Sequence, residues 1–393
     1  MKPIQPGILS INGGSSSIKF ALYQTEAELE RRLYGKIDRM GLNGTYLSFN
    51  DISKNQHETI NLPGTDYKSA ADFLLDWLEK QNVFSTLSAI GHRVVHGMEH
   101  AQPERVTGEL LKELKRIIPY DPDHLPHEIE MIESLGQRYP KLLQVVCFDT
   151  AFHQSMPPVA RLLPIPRRYQ AKGVKRYGFH GLSYTYLLAE LEQLGDSAAR
   201  QGKVILAHLG SGSSLAAVRD GLCIDTSMGF TPASGLPMST RSGDLDPGLI
   251  GYLAHNEKMT PSQFSQMVNH ESGLLGVSEL SSDVRDLLDA EANDVRAAEA
   301  LALYCYQVKK WIGSFAAALG GLDTLVFTGG IGENSPQLRE RICQGLEFLG
   351  IELHPLRNQQ APGLISTDLS RVKVRVLCTD EELTIARAVR RLI

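Results

Sequence analysis

Several signatures are missing from this sequence, and each absence removes a class of function. Its five cysteines, Cys147, Cys223, Cys305, Cys343 and Cys378, form no C-x-x-C pair. They stand far apart, mostly among apolar neighbours, which excludes a disulfide framework or zinc ribbon and reads as reduced core cysteines. There is no H-E-x-x-H and no matching Cys/His spacing, so no histidine-built metal centre is expected. No block of one charge occurs: 40 Lys and Arg face 45 Asp and Glu, for a formal net charge of -5. This balance argues against general nucleic-acid binding and against adhesion to an anionic membrane. No run is long and apolar enough to span a bilayer, and the opening Met1 to Gly7 lacks the apolar region of a signal peptide, so a cytoplasmic protein is expected. Neither nucleotide fingerprint is present. G-x-x-x-x-G-K-[ST] does not occur, and Gly210-Ser211-Gly212 lacks the third glycine of G-x-G-x-x-G.

What is present is an ordinary globular composition over 393 residues, 42% hydrophobic with 35 glycines and 19 prolines. That length predicts two domains, each able to bury its own core, with a cleft between them as the natural place for a site. Ile8 to Ile11 and Ile18 to Tyr23 read as short strands flanking Asn12-Gly13-Gly14-Ser15-Ser16-Ser17, a hairpin whose tip is rich in small residues and donors. The design recurs near mid-chain, where strand Val204 to Leu209 runs into Gly210-Ser211-Gly212-Ser213-Ser214 and returns as Leu215 to Val218. Gly-Ser-Ser in both loops, about half a chain apart, is what a duplicated two-domain architecture would give. Apolar residues at three- and four-residue spacing predict helices over Ser69 to Gln81, Leu110 to Ile118, Glu128 to Gln137, Tyr184 to Gln193 and, most strongly, Asp294 to Leu319. Strands Leu142 to Phe148, Thr324 to Thr328 and Val372 to Cys378 alternate with them, so the class is α/β. A final helix over Glu381 to Leu392 is expected to pack back on the first domain.

A third glycine-rich turn, Gly329 to Asn334, follows Thr324 to Thr328 and opens a helical segment expected over Ser335 to Leu349. Any one glycine loop is an ordinary tight turn. Three at strand ends, two rich in serine, are better explained as a cradle for a polyphosphate and its nucleoside. Arg93, in Gly91-His92-Arg93-Val94-Val95-His96-Gly97, and Arg241, in Ser239-Thr240-Arg241-Ser242-Gly243, are set among small residues. Two such guanidinium groups suit a carboxylate and a transferring phosphoryl group. With twelve histidines most are structural, and His124 and His180 draw notice only through their glycine, proline and aspartate surroundings. Asp149 and Glu381 follow strand ends, where a carboxylate holds Mg²⁺ through water or accepts a proton. Asp380 to Glu382 reads equally well as a helix cap.

These segments resemble the acetate kinase family of the acetate and sugar kinase, actin and chaperone-ATPase superfamily. Ile11 to Lys19, Gly91 to Gly97, Phe148 to His153, Arg176 to Gly181, His208 to Ser214, Met228 to Pro232, Thr240 to Pro247, Thr328 to Asn334 and Glu381 to Arg387 all fall in family order. The resemblance implies an actin-like fold with duplicated ribonuclease-H-like cores and an interdomain active-site cleft, residues 1–150 and 151–382 forming the two domains and a helix over 383–393 packing on the first. It implies reversible, direct in-line transfer from ATP to a short-chain carboxylate, acetate first and propionate second, with domain closure excluding water. A hydroxyl-directed sugar-type kinase and an actin- or chaperone-like ATP switch are the alternatives.

On the same resemblance Arg93, His180 and Arg241 stabilise the transferring group. Asn12, Ser15, Ser17, Lys19, His208, Gly210, Ser211 and Gly212 serve the phosphates, and Gly329, Gly330, Ile331, Gly332 and Asn334 the adenosine. Asp149 is a catalytic, magnesium-region carboxylate. Asn12 and Glu381 hold Mg²⁺, with Mn²⁺ as an alternative and Glu382 as a competitor for Glu381. Val95, His124, Phe179 and Pro232 line the acyl site, and a homodimer is implied. Three positions depart from the family pattern. Ser211 stands where asparagine is usual, Gly330 where alanine is common, and Asp123 where a pocket leucine is expected. Asp123 either turns outward or faces inward to recognise a polar substituent; the outward reading is favoured because aspartate before His-Leu-Pro readily satisfies local backbone donors.

Overall fold

The computed structural model describes residues 6–14, 17–25, 28–40, 44–62 and 66–393. The chain divides into two compact units, Met1–Ala151 with Asp380–Ile393, and Phe152–Thr379. The return to the first unit begins at Asp380, earlier than the expected 383, because the Asp380 carboxylate caps the helix Glu381–Arg390 by accepting the Leu383 N–H.

The first unit is built on one sheet of strands β1 (Gly7–Gly13), β2 (Ser17–Thr25), β3 (Leu29–Asp38), β4 (Tyr46–Asp51), β5 (Gln56–Asn61), β6 (Leu87–Val94), β7 (Glu104–Arg105) and β8 (Leu143–Phe148). Their order is β5-β4-β3-β2-β1-β6-β8-β7. β1 is buried throughout, as a central strand covered on both faces should be. Its two-residue period sends Leu9 and Ile11 into a cluster with Leu74, Trp77 and Met131, which come from the helices Tyr67–Lys80 and Leu125–Arg138. The opposite parity places Asn12 toward the helix Glu381–Arg390, where its amide meets Glu381 and Glu382.

The second unit repeats the plan with β9 (Lys203–Leu209), β10 (Ser213–Arg219), β11 (Leu222–Thr226), β12 (Thr324–Thr328), β13 (Gly363–Leu364) and β14 (Lys373–Val376), ordered β11-β10-β9-β12-β14-β13. The order β3-β2-β1-β6-β8 is thus matched by β11-β10-β9-β12-β14. In both, the first three strands are antiparallel and the last two run parallel to the central one. The predicted helix over Asp294 to Leu319 is found as Val295–Leu319, capped by Asp294 and ended by Gly320 in the left-handed region. Its stripe of Ala297, Leu301, Tyr304, Val308, Ile312, Phe315 and Leu319 is core. The helix Gly181–Gln193 covers the other face through Tyr184, Leu187 and Leu191.

The sequence reading needs correction at four places. Ser213 and Ser214 belong to β10 rather than to a loop, since their backbones pair with Leu209 and His208. Gly329–Asn334 is a short helix, not a turn: the Glu333 carboxylate accepts the Gly329 N–H and the Thr328 hydroxyl at its start. The helix expected over Ser335 to Leu349 runs only over Pro336–Cys343, because Gly345 turns the chain with φ +81° before a short 3-10 turn at Glu347–Leu349. Finally, Cys378 is exposed whereas the other four cysteines are buried, because β14 ends at Val376 and not at Cys378. Among the described residues no helix is long and apolar enough to cross a membrane.

The last helix lies hard against β6 at Gly91. A Cβ there would stand 2.3 Å from Ile385 Cγ2 and 2.6 Å from Val389 Cγ2. Gly91→Ala is therefore expected to destabilise the protein by about 1–3 kcal/mol through overpacking, read as a lower urea midpoint. An unchanged midpoint would mean that the helix does not pack this closely.

Candidate active-site residues

In the first unit the site is organised by one arginine. Arg93 lies near the end of β6, and its side chain is largely buried. Its Nη2 donates to Asp149 Oδ2 at 3.0 Å, and its Nη1 donates to the Gly13 carbonyl at 2.8 Å and to Glu128 Oε1 at 3.3 Å. Asp149 follows β8, which pairs in parallel with β6, so the sheet register sets these side chains together. Burial alone would disfavour the Arg93 charge, but Asp149, Glu128 and Glu381 outweigh it and hold the guanidinium more firmly protonated than usual.

Glu128 responds in the opposite sense. Burial, then the nearby Asp121 and Asp149, push its carboxyl up to about 8 against the attraction of Arg93 and the Val95 N–H. The Val95 N–H donates to Glu128 Oε2 at 2.9 Å, so both oxygens of this carboxyl are in use. Sequence reasoning missed Glu128. The signal was there: it lies three residues after Leu125 and four before Ile132, on the buried stripe of its helix, where a charge is out of place.

Asn12 Nδ2 donates to Glu381 Oε2 at 2.7 Å and to Glu382 Oε1 at 3.0 Å, so the expected metal pair is brought together with a second carboxylate beside it. Among the described residues no three His, Cys, Asp or Glu side chains are gathered to hold a metal. The oxygens of Asn12, Glu381 and Glu382 are nonetheless the hard donors that suit Mg²⁺, an ion commonly held by one or two carboxylates together with substrate phosphates.

His124 is buried and takes Asp121 Oδ1 at 2.7 Å on Nδ1. Asp121 also accepts the His124 N–H, closing the turn before the helix; Asp123 itself is exposed, as the outward reading expects. Ser17 and the exposed Lys19 lie on β2, while Ser15 falls outside the described residues.

In the second unit His180 sits at φ 59°, immediately before the helix Gly181–Gln193. Its Nδ1 is engaged by Ser214 Oγ at 2.8 Å, and its ring stacks on His208 at 4.2 Å between centroids. His208 Nδ1 meets Ser183 Oγ at 2.9 Å, which in turn takes the Thr379 hydroxyl at the same distance. Gly212 is the point where these groups meet. A Cβ there would lie 3.3 Å from His180 Nε2 and 3.7 Å from Arg241 Nη1, and Arg241 also donates to the Pro232 carbonyl at 3.4 Å. Ser211 is exposed beside it. Phe179 is buried, with its carbonyl fixed by His153 Nε2 at 2.9 Å.

The position a Cβ would take on Gly210 is 3.7 Å from the Gly330 amide nitrogen, so the second and third glycine loops adjoin. Asn334 Nδ2 donates to the Gly330 carbonyl, whereas Ile331 packs its side chain against the core. Arg339, 1% exposed, donates to the carbonyls of Gly332 and Glu333 and fixes the end of this short helix. His153, Ser183, Thr379, Glu333 and Arg339 were not singled out in the sequence. His153, Ser183 and Thr379 act across long sequence separations, while Glu333 and Arg339 act on backbone groups of the short helix Gly329–Asn334, and none leaves a periodic pattern to read.

The acetokinase family's sequence profile matches residues 7–387. The acetate kinase of Rhodopseudomonas palustris strain TIE-1 is 42% identical over 391 residues, covering 98% of each chain. The propionate kinase of Citrobacter rodentium is 43% identical over 392 residues, covering 98% of this chain and 96% of its own. The crystal structure of a propionate kinase from Francisella tularensis superposes with a TM-score of 0.90 at 35% identity, over 99% of this chain and all of that one. With the α/β topology, the ordered motifs and the nearly full-length match in agreement, the chain belongs to the acetokinase family.

Proposed function

We propose that this protein transfers the γ-phosphoryl group of ATP, reversibly and in line, to the carboxylate of a short-chain fatty acid, acetate before propionate, giving an acyl phosphate and ADP. The observation that carries this reading is the engagement of Asp149. Its Oδ2 is bound to Arg93 at 3.0 Å, which supports a role in holding the guanidinium rather than one as the general base that a hydroxyl acceptor would need. A fatty-acid carboxylate is already ionised at neutral pH, so alignment and charge stabilisation suffice. Arg93, Arg241 and His180 supply that stabilisation. Ser15, Ser17, Lys19, His208, Gly210, Ser211 and Gly212 serve the phosphates, and Gly329 to Gly332 with Asn334 the adenosine, Ile331 through its backbone. Val95, Phe179 and Pro232 give the acyl group an apolar setting, with His124 near the acid. Asn12 and Glu381, with Glu382 as an alternative donor, would hold Mg²⁺, which spreads the phosphate charge when bound. Asp123 is exposed, which supports the outward reading, on which Asp123→Leu leaves the order of acids unchanged.

The test is hydroxamate formation with ATP, Mg²⁺ and a panel of acids from formate to butyrate, with glycerol as the hydroxyl control. Acetate is expected to give the highest kcat/KM and glycerol no ADP above background. Arg93→Ala and Arg241→Ala should each lower kcat about a hundredfold or more, the loss of ~3–4 kcal/mol of transition-state stabilisation. Folded variants with near wild-type kcat would remove the arginines from that role.

We also propose a homodimer. Among the residues of the helix Gly248–Asn256 none is buried, and Leu249, Ile250 and Tyr252 are exposed, an apolar face that suits a second copy of the chain. Sedimentation velocity should give twice the chain mass, and Tyr252→Asp should shift the protein toward monomer. A wild type that sediments as a monomer at micromolar concentration would overturn the proposal.

A further inference from the structure

Glu128 is a buried carboxyl for which the proposed reaction has no use, yet it touches two groups that the reaction depends on. It is fixed on the helix Leu125–Arg138 with its side chain 3% exposed. Oε1 accepts from Arg93 Nη1, and Oε2 accepts from the backbone N–H of Val95, so one carboxyl spans the last residue but one of β6 and the residue just beyond it. Arg93 Nη1 is at the same time bound to the Gly13 carbonyl, at the end of β1 where the first glycine-serine loop begins. The guanidinium is therefore held from three sides: by Glu128, by Asp149 and by Gly13. A long side chain fixed in this way loses its rotamer freedom before substrate arrives, which is what a charge stabiliser requires.

We propose that Glu128 is a positioning residue that sets Arg93 and the Val95 backbone in a common frame, so that the charged clamp on the acid and the apolar wall beside it keep a fixed separation. Resting as it does on the phosphoryl-transfer reading above, the role has a specific consequence. Loss of Glu128 acts through Arg93 and falls on the acid, leaving the nucleotide unaffected. Two acceptor oxygens are needed, because one takes Arg93 Nη1 and the other the Val95 N–H. An amide of the same shape offers one acceptor and turns an N–H toward a donor.

The experiment is a double-mutant cycle of Glu128→Gln and Arg93→Ala, followed by acyl hydroxamate formation. Glu128→Gln alone is expected to lower kcat/KM for the acid about ten- to a hundredfold, the scale of a misplaced catalytic group, with the KM for ATP changed less than twofold. In the Arg93→Ala background the same substitution should cost less than twofold. Glu128→Asp, which keeps two acceptors on a shorter stem, should recover part of the loss. Equal fold losses in both backgrounds, a matching rise in the KM for ATP, or wild-type kinetics for Glu128→Gln would each overturn the proposal. So would failure of both Glu128 variants to fold, which would assign the residue to stability. A wild type that forms no acyl phosphate from any acid would instead remove the phosphoryl-transfer reading, a result distinguishable from all of these.

Discussion

The first unit is arranged around keeping one guanidinium charged and still inside protein. A buried arginine without carboxylates would be costly, and removal of one partner from a buried pair typically costs about 3–5 kcal/mol. Arg93 meets this constraint through Asp149, which the parallel register of β6 and β8 delivers, and through Glu128, which the helix Leu125–Arg138 delivers. The strand order, the placement of that helix and the Gly13 carbonyl all serve this one contact. The excess of acid over base around it raises Glu128 and leaves Arg93 firmly charged.

The second unit solves a different problem with the same strand order. There the chain brings two imidazole rings and a guanidinium to a loop with no side chain in the way. Gly212 permits the approach of His180 and Arg241, and the stacked His208 is anchored through Ser183 to Thr379. The adjoining helix Gly329–Asn334 is held at its start by Glu333 and at its end by Arg339, so its backbone is presented rigidly. In each unit the Gly-Ser-Ser motif falls in sequence where the central strand turns into its antiparallel neighbour, β1 into β2 and β9 into β10, so a match of three residues coincides with a repeat of topology.

The fold was legible wherever a period persists. The stripe predicted over Asp294 to Leu319 is core and ends where Gly320 ends it. The expected residues Arg93 with Asp149, Asn12 with Glu381, and His180 with Gly212 do stand together: the first pair through the parallel register of β6 and β8, the second through the helix Glu381–Arg390, and the third through the start of the helix Gly181–Gln193. Support residues were illegible for a physical reason. Arg339 and His153 satisfy carbonyls at Asn358 and Phe179, 19 and 26 residues away, and nothing around them in the chain distinguishes them from surface charges or spare histidines. Glu128 did leave a local signal, a charge on an apolar stripe, but the sequence reading passed over it. The short helix at Gly329–Asn334 was read as a turn because three of its first four residues are glycine, and its stability comes from Glu333 and Arg339 rather than from propensity.

The central claim is that a carboxylate oxygen of the acid, and no other nucleophile, becomes the bridging oxygen bonded to the γ-phosphorus of ATP. Acetate labelled with heavy oxygen in both carboxylate positions tests it, because hydroxylamine cleaves an acyl phosphate at carbon and releases phosphate with its bridging oxygen. Product made from labelled acetate and unlabelled ATP should release phosphate carrying one acetate oxygen, with ADP unlabelled. Label in AMP, or phosphate without label, would contradict phosphoryl transfer to the carboxylate.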